Sequence, residues 1–516
     1  MANTRGSKVI ETVRHRHQIE ADIFGMLEVA SDSEFEERAG RIAGAGREVI
    51  PVILRNLDTP NRRMIGALGR ISRHLDADEI SLALRNVAGS RRRSDRERVG
   101  ALLILDRFLD EDLEDELFEG LANPEEVAIQ SFAEMLDEAE HTRLVLLDYL
   151  KAIDEQPVDV VLSILATLEG SQGERMVEPL RLLAQDSRST VAREALQALG
   201  RIRTPEAGRA LQTLANGWVN GPVRALAERS LRKLKFCGVD ISPLPQPDAD
   251  WRCLISPADG EGNQSIWFVH ASPAEPNCCF LQVLLNDSRG VVEAIGDDRA
   301  QSRVFPANRR KGSLHVFALS DAPVDSIVME ADFDYGRALV RRAVPLNVAT
   351  REPLPLAYRL CSDYLWGYDA CGVPDQRNLP RVTPEAAAEL LPFTGSLLDH
   401  AAFAAWYSAD KPVYRQAMRS LCQRRNAARR NSAAWLKEIA SGCFDRRATA
   451  RCAAQLEKMS EWLMLLGDEW TAEMALAASM TLTECRPESH PFLARLVERG
   501  VTRAHEDIQR GRRWEH

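Results

Sequence analysis

The chain has 516 residues and a formal net charge of -10, with 45% hydrophobic and 28% charged residues. At roughly 100–200 residues per domain, this length predicts about three to four domains. The apolar content excludes an intrinsically disordered chain. The acidic balance argues against a protein that coats duplex DNA over its whole surface, because phosphate binding needs clustered cations.

The chain start and the cysteines bear on its location. The first ten residues have no apolar core and no small-residue cleavage site, so we expect no secretory signal. The longest apolar stretches are about half of what a bilayer span needs, so we expect no membrane segment. All ten cysteines lie from Cys237 onward without a CxxC pair, which predicts neither a disulfide framework nor a zinc ribbon. We therefore expect a cytoplasmic protein.

Loop-like markers recur in the first half of the chain, each followed by a segment of helical period. They are Asp58-Thr59-Pro60, Arg93-Ser94-Asp95, Asn123-Pro124-Glu125, Gln156-Pro157, Asp186-Ser187-Arg188 and Val219-Asn220-Gly221-Pro222. Their first residues are about 30 to 35 residues apart, a period typical of repeat proteins. The pentapeptide Ala67–Ile71 also returns unchanged as Ala198–Ile202.

The clearest unit has two helices with apolar residues on one face of each. The first carries Val191, Ala195, Ala198, Leu199 and Ile202, and the second, opened by Thr204-Pro205-Glu206, carries Ala207, Ala210, Leu211 and Leu214. The unit Asp186–Ile202 resembles the short HEAT-like repeats first described in phycobilisome lyases. The resemblance implies an α-solenoid of about six units over residues 46–236, with Ser33–Asn56 as an amino-terminal cap. It implies little about function, since such repeats serve scaffolds, lyases, DNA glycosylase-like proteins and regulatory subunits.

The period changes from helical to extended after the Pro-rich linker Cys237–Asp250. Five strands are predicted, at Trp251–Ile255, Ser265–Val269, Cys278–Leu285, Val291–Ile295 and Leu314–Leu319. The nearly continuous apolar run of the third predicts a central strand. We expect a small, mostly antiparallel β or α+β domain over residues 248–350.

Four residues of this domain are candidates for metal binding or catalysis. His270 and His315 fall in predicted strands, and Asp332 and Asp334 are predicted to share one strand face. Histidine and carboxylate groups can ligate a metal, but nothing in the sequence brings these four together. With no nucleophile elbow, phosphate-binding loop or zinc-protease motif present, we predict no catalytic residue, no metal and no cofactor.

The last third is predicted to be helical after an aromatic connector. The connector, residues 352–380, contains Tyr358, Tyr364, Trp366 and Tyr368, which favour a packed segment over an aromatic binding surface. Residues 381–516 predict a helical bundle domain. The whole chain is therefore interpreted as a multidomain, mainly α protein whose first domain, residues 1–236, is the solenoid.

Two arginine clusters are candidate partner-binding sites. Arg415, Arg419, Arg429 and Arg430 fall within about a quarter-turn of one helix, opposite the apolar Tyr414, Met418, Leu421 and Ala428. Arg91, Arg92 and Arg93 form a basic run in the solenoid, which also carries the acidic run Asp110–Glu116. Both clusters can equally be ordinary solvated faces.

Three functions remain open from the sequence. The leading hypothesis is a non-enzymatic protein–protein interaction scaffold or adaptor, built on the solenoid and binding an unidentified protein partner. The alternative is a nucleic-acid-binding HEAT-like protein that uses the arginine-rich helix face. The third is an enzyme with its site in the β-rich domain, where His270, His315, Asp332 and Asp334 are the first residues to test.

Overall fold

The computed structural model of the chain is mostly helical, with one six-stranded sheet between two helical parts of the sequence. It describes residues 3–27, 32–59, 61–111, 124–140, 142–217, 221–272, 275–317, 326–369, 378–406, 412–423 and 433–510. The chain divides into two compact units. One comprises Met1–Leu146 and Ile164–Arg175, and the other comprises Leu147–Ser163 and Met176–His516. The expectation of a mainly α protein with a β-rich middle is confirmed, whereas the predicted domain boundaries stay predictions.

Within the first 236 residues, every described element of regular secondary structure is a helix. These are α1 (Asn3–Met26), α2 (Asp32–Ala43), α3 (Ile50–Arg55), α4 (Arg62–Arg73), α5 (Ala77–Ala88), α6 (Asp95–Leu109), α7 (Pro124–Ala139), α8 (Val145–Asp154), α9 (Val158–Gln172), α10 (Val177–Leu183), α11 (Ser189–Leu199), α12 (Pro205–Gly217) and α13 (Pro222–Phe236), with short 3-10 turns at Gly46–Glu48 and Gly173–Met176. A helix follows each predicted marker, so that prediction is confirmed. We call α4, α6, α7, α9, α11 and α13 the marker helices, and α5, α8, α10 and α12 the second helices.

Local signals in the markers explain where these helices begin. Ser94 caps α6 by accepting a hydrogen bond from the backbone N–H of Glu97, whose carboxylate accepts one from the Ser94 N–H in return. This capping box satisfies two backbone donors that the helix cannot pair internally. Pro222 occupies the first turn of α13, where its missing N–H costs nothing.

The helices pack in the same way within each unit. Both α5 and α4 contact α6 in the first unit, and both α12 and α11 contact α13 in the second. The glycine of the repeated pentapeptide faces a side chain of another marker helix in both units. A Cβ at Gly69 would lie 2.3 Å from the ring of Phe108 on α6, and one at Gly200 would lie 2.9 Å from the Ser230 Oγ on α13. The sequence match therefore corresponds to a shared packing requirement, because a side chain at either glycine would collide with the facing side chain unless that side chain moved.

Periodicity identified the core of the clearest unit correctly. Nine apolar residues were assigned to the inner faces of the two helices of this unit, and all nine are buried. Eight of them lie on α11 and α12, and Ile202 lies in the turn that joins these helices. Thr204 begins α12 as expected, since its hydroxyl accepts a hydrogen bond from the Ala207 N–H. Small alanines on both helices allow the close packing that buries the larger leucines.

The middle of the chain forms one antiparallel sheet. Its strands are β1 (Trp251–Ile255), β2 (Asn263–His270), β3 (Asn277–Asn286), β4 (Gly290–Gln301), β5 (Leu314–Phe317) and β6 (Ser326–Ala331). They are ordered β4-β3-β2-β1-β6-β5, and every pair is antiparallel. The five predicted strands are confirmed, with residues 318 and 319 outside the described range. Strand β3 has a partner on both sides, as its continuous apolar run predicted.

Two features of the sheet differ from expectation. Strand β6 was missed because Glu330 interrupts its apolar run; in the structure this carboxylate is buried and paired with Arg252 on β1. The prediction that Asp332 and Asp334 share a strand face is wrong. Strand β6 ends at Ala331 and the next helix begins at Phe333, so Asp332 is its N-cap and Asp334 lies in its first turn.

Helices cover the sheet on the side of the connector. Helix α14 (Phe333–Thr350) packs on strands β1 to β4, and the short helices α15 (Leu356–Cys361) and α16 (Asp363–Trp366) follow it. The Asn347 side chain bonds both the N–H and the carbonyl of Val291, at 2.8 and 2.9 Å. This pair of bonds fixes α14 to the start of β4.

The last third is helical from Pro384, as predicted. It contains α17 (Pro384–Leu390), 3-10 segments at Leu391–Asp399 and Ala401–Trp406, α18 (Pro412–Gln423), α19 (Ala433–Cys443), α20 (Arg446–Leu466), α21 (Glu469–Leu482) and α22 (Pro491–Gln509). The indole N–H groups of Trp462 and Trp406 donate to the carbonyls of Ile255 and Ala258, each at 3.0 Å. These bonds attach the helices to the end of β1. No helix among the described residues is long and apolar enough to cross a membrane.

Candidate functional site

The two histidines proposed for catalysis have separate surroundings. His270 lies 3.0 Å from the carboxylate of Asp248 at the start of the sheet. Partial burial acts to raise the pKa of Asp248, but the hydrogen bond with His270 and backbone donors outweigh it and lower that pKa. His315 lies on β5, 3.7 Å from the Glu330 carboxylate, which is already held by Arg252. Each histidine therefore has its own carboxylate.

The two aspartates are equally separate. Asp332 pairs with Lys311, and Asp334 pairs with Arg337 at 2.7 Å. In the part of the chain that the structure describes, no three His, Cys, Asp or Glu side chains are grouped so that they could hold a metal ion. The structure therefore does not bring the four candidate residues together.

The arginine face of the last third is described only in part. Arg415 and Arg419 are exposed on α18, opposite the buried Tyr414 and Met418, as the helical periodicity indicated. Arg429 and Arg430 lie outside the described residues, together with Ala428 and the arginines at 424 and 425. Partner binding by this face stays a prediction.

The basic run of the first half lies in an exposed turn. Arg91, Arg92 and Arg93 precede α6, and Arg93 binds the carboxylate of Glu97 at 2.7 Å. Of the acidic run only residues 110 and 111 are described, and Glu111 accepts a hydrogen bond from Arg85. Partner binding by the three arginines also stays a prediction.

A different constellation lies on the second helices of the larger unit. Arg181 on α10 is 3% exposed and donates to the carbonyls of Arg359 and Leu360, at 3.2 and 2.7 Å. It also donates to the Ser362 hydroxyl at 2.9 Å. Gln185, just after α10, donates to the same Arg359 carbonyl at 3.0 Å. These side chains bind backbone atoms of a segment far away in sequence.

Helix α12 repeats this behaviour. Gln212 donates to the carbonyl of Ser242 at 3.2 Å, and Asn216, one turn later, donates to that of Tyr368 at 3.1 Å. The same segments approach α12 closely at two glycines that flank these contacts: a Cβ at Gly208 would lie 2.5 Å from Ile241, and one at Gly217 would lie 2.9 Å from Trp366. We call the donors Arg181, Gln185, Gln212 and Asn216 the carbonyl-binding face.

A second buried arginine lies beside this face, and an aspartate balances its charge. Arg359 on α15 is 1% exposed and binds both carboxylate oxygens of Asp154, at 3.0 and 2.9 Å. It also donates to the carbonyl of Leu182 at the end of α10. Beside it, Arg188 forms a two-pronged pair with Asp186, and this hydrogen bonding raises the pKa of Arg188. Burial of a guanidinium group is tolerated when carboxylates and carbonyls of this kind bind it.

The connector is held from its other side by α14. Arg337 is fully buried and donates to the carbonyls of Tyr368 and Asp369, at 3.1 and 2.8 Å. Burial lowers the pKa of Arg337, and the adjacent Asp334 acts against this effect. Tyr358 and Trp366 are buried between these layers. The connector aromatics that are most buried therefore pack inside the unit, as the favoured interpretation of this segment expected.

Each of the four donors binds a backbone carbonyl, and Arg181 also binds the Ser362 hydroxyl. All four donors end in amide or guanidinium groups, which reach carbonyl oxygens without requiring a given residue type. Sequence reasoning missed them because Gln212 and Asn216 fall on the side of α12 that the helical period assigns to solvent. The available signal was Gly208 and Gly217, since glycine inside a helix often marks the close approach of another chain segment.

No protein-family model, curated protein or solved structure matches the chain.

Proposed function

We propose that this protein is a non-enzymatic interaction scaffold whose HEAT-like repeats form an α-solenoid that binds polypeptide segments along its second helices. The carbonyl-binding face carries the proposal, because it already binds backbone carbonyls of two distant segments of the same chain. Regular helix starts and the repeated glycine contacts support the solenoid. A stacked helical array offers a long surface for this kind of binding.

The smaller unit has a second helix with similar chemistry and an open surface. On α5, Leu82 is 63% exposed, and Asn86 is exposed one turn later. Residues four apart lie on the same side of a helix, so an apolar contact and an amide donor are presented together. This combination matches Asn216 beside Gly217 on α12, where the amide binds a carbonyl and the helix receives an apolar side chain. The proposed partner segment therefore presents an apolar side chain and a free backbone carbonyl.

Co-purification from the native host, with a charge substitution on α5, tests the proposal. The tagged full-length protein is compared with Leu82→Asp and with the control Val348→Asp, which alters an aliphatic side chain of similar exposure, 58%, on α14. We expect a stoichiometric protein partner to co-purify. Leu82→Asp should lower the amount of this partner at least about tenfold, because a carboxylate cannot enter an apolar contact without losing hydration. The control is expected to retain it.

Two results would contradict the proposal. One is the absence of any stoichiometric protein partner over a range of salt and growth conditions. The other is a partner that both variants retain, or that both lose equally. Unfolding curves of the two variants establish that they remain folded, since exposed substitutions usually change the stability by about 0.5 kcal/mol or less.

A further inference from the structure

The last helical repeat is basic although the chain is acidic. Residues 189–240 contain nine basic and four acidic residues, in a chain whose net charge is -10. Two of the four acids are already neutralised: Glu194 binds Arg201 and Glu228 binds Arg224, each at 2.9 Å. The remaining cations give this part of the unit a local excess of positive charge that the average composition conceals.

Three of these cations form a stripe along α13. Arg229, Arg232 and Lys233 are exposed, and their spacing of three and four residues places them on one side of the helix. None of the three forms an ion pair with another described residue. The opposite side of α13 carries the buried Ala227 and Leu234, so the stripe faces away from the helices on which α13 packs.

A phenylalanine continues the stripe at the end of the helix. Phe236 follows Arg232 and Lys233 by four and three residues and therefore lies on the same side. It is 94% exposed, the largest exposure among the large hydrophobic side chains in the described ranges. A ring in this position has its faces available for stacking and is bordered by positive charge.

We propose that this α13 face, formed by Arg229, Arg232, Lys233 and Phe236, binds single-stranded nucleic acid. The three cations contact the phosphate backbone, and the ring of Phe236 stacks on a base. Cationic grooves combined with exposed aromatic rings are the usual means of binding single strands. From Arg229 to Lys233 the helix rises about 6 Å, which covers about two phosphates of one strand.

The geometry favours a single strand over other polyanions. A projecting ring can stack only on an unpaired base, because the bases of an intact duplex already stack on each other. A membrane surface needs an apolar helix face several residues wide, whereas this face has one apolar residue beside three cations. The site differs from the arginine face of α18 and is independent of the proposed polypeptide binding by the second helices.

Fluorescence anisotropy with the full-length protein tests the site. The probe is a labelled oligothymidylate of about 20 nucleotides, titrated at about 50 and 200 mM salt. We expect binding that weakens as the salt concentration rises. The double variant Arg232→Gln/Lys233→Gln is expected to reduce the magnitude of the slope of log K against log salt by about 1.4, which is about 0.7 for each lost phosphate contact. Phe236→Ala is expected to weaken binding by about 5- to 100-fold, while Phe236→Trp retains it.

Matched controls distinguish this site from general positive charge. Arg446→Gln/Arg447→Gln removes two exposed arginines from α20, and Trp470→Ala removes another exposed ring, 59% exposed, on α21. Both controls are expected to bind the oligonucleotide with unchanged affinity and salt slope. All substitutions are on exposed positions, and thermal unfolding verifies that each variant is folded.

Four outcomes would overturn the proposal. The first is no binding at about 50 mM salt, and the second is an equal loss of binding in the α20 control. The third is equally tight binding of a duplex with no effect of Phe236→Ala, and the fourth is binding to phosphatidylserine vesicles in place of the oligonucleotide. Each of these leaves the proposed function untouched, because Leu82 and its co-purifying partner are tested separately.

Discussion

Removal of Arg181 should release the connector from the second helices without unfolding the remainder of the unit. Arg181→Met keeps the aliphatic part of the side chain but removes the guanidinium group, and with it the hydrogen bonds to Glu178 and to the connector. The two to Glu178 contribute little, because that carboxylate is 34% exposed and can be hydrated. The three to the connector are buried, and a hydrogen bond to a charged group contributes about 1.5–3 kcal/mol.

The expected net loss is about 3 kcal/mol, because Met refills the space and individual hydrogen bonds are not additive. At about 1.4 kcal/mol for each factor of ten, this corresponds to a rise of about 100-fold in local opening. Native-state hydrogen exchange measures that opening directly. The amides of α15 and α16 should exchange about 100-fold faster, while those of β2 and β3 change little.

Arg193→Met provides the matched control. Arg193 is exposed on the neighbouring α11, so the same substitution there removes a charge without removing a buried contact. Its effect on the free energy of unfolding should stay within about 0.5 kcal/mol. If Arg181→Met exchanges like the control in α15 and α16, the carbonyl bonds do not hold the connector and the reasoning behind the candidate site is wrong.

Two further predictions concern stability. Gly69→Ala should destabilise the smaller unit by about 1–3 kcal/mol, because the new Cβ overlaps the ring of Phe108. In the same helix, a Cβ at Gly66 meets nothing within 4 Å, so Gly66→Ala should stabilise the unit by about 0.5–1 kcal/mol. Thermal unfolding should show these opposite signs, and equal effects of the two substitutions would refute the packing argument. Burial lowers the pKa of His490 from 6.5 to about 4, so below pH 6.5 the unfolded chain binds a proton that the folded chain does not. The free energy of unfolding should therefore fall by about 2 kcal/mol from pH 7 to 5. Urea unfolding of His490→Gln should lack this decrease. If the variant shows the same pH dependence as the unsubstituted protein, His490 is not the group responsible.

The helices were predictable because their signals are local. The capping box at Ser94 and the proline at residue 222 determine where α6 and α13 begin from a few neighbouring residues. Strand β6 was not predictable in the same way. Its buried Glu330 is compatible with a strand only because Arg252, 78 positions away, supplies a paired charge. Sequence periodicity contains no information about such a distant partner.

The candidate site escaped prediction for the same reason. Arg181 binds the carbonyl of a residue 178 positions away, and Asn216 binds one 152 positions away. Periodicity separates buried from exposed helix faces only for apolar residues. A glutamine or asparagine on the polar face looks solvated unless the covering segment is known. The aromatic connector and the polar side of α12 were each recognisable in the sequence, but their contact was not.

The buried cations give a physical reason for the preference for arginine in this chain. Lysine occurs at only eight positions, a bias that genome composition alone can produce. Within the described ranges, however, no lysine is buried, and five arginines are: Arg98, Arg181, Arg252, Arg337 and Arg359. Each donates to at least one backbone carbonyl. A guanidinium spreads its charge over several N–H groups in a plane and can bind a carbonyl and a carboxylate together, whereas a compact ammonium is more strongly hydrated and loses more on burial. Arginine at these five positions therefore holds backbone carbonyls of helices and loops through buried hydrogen bonds, a role that lysine would not fill.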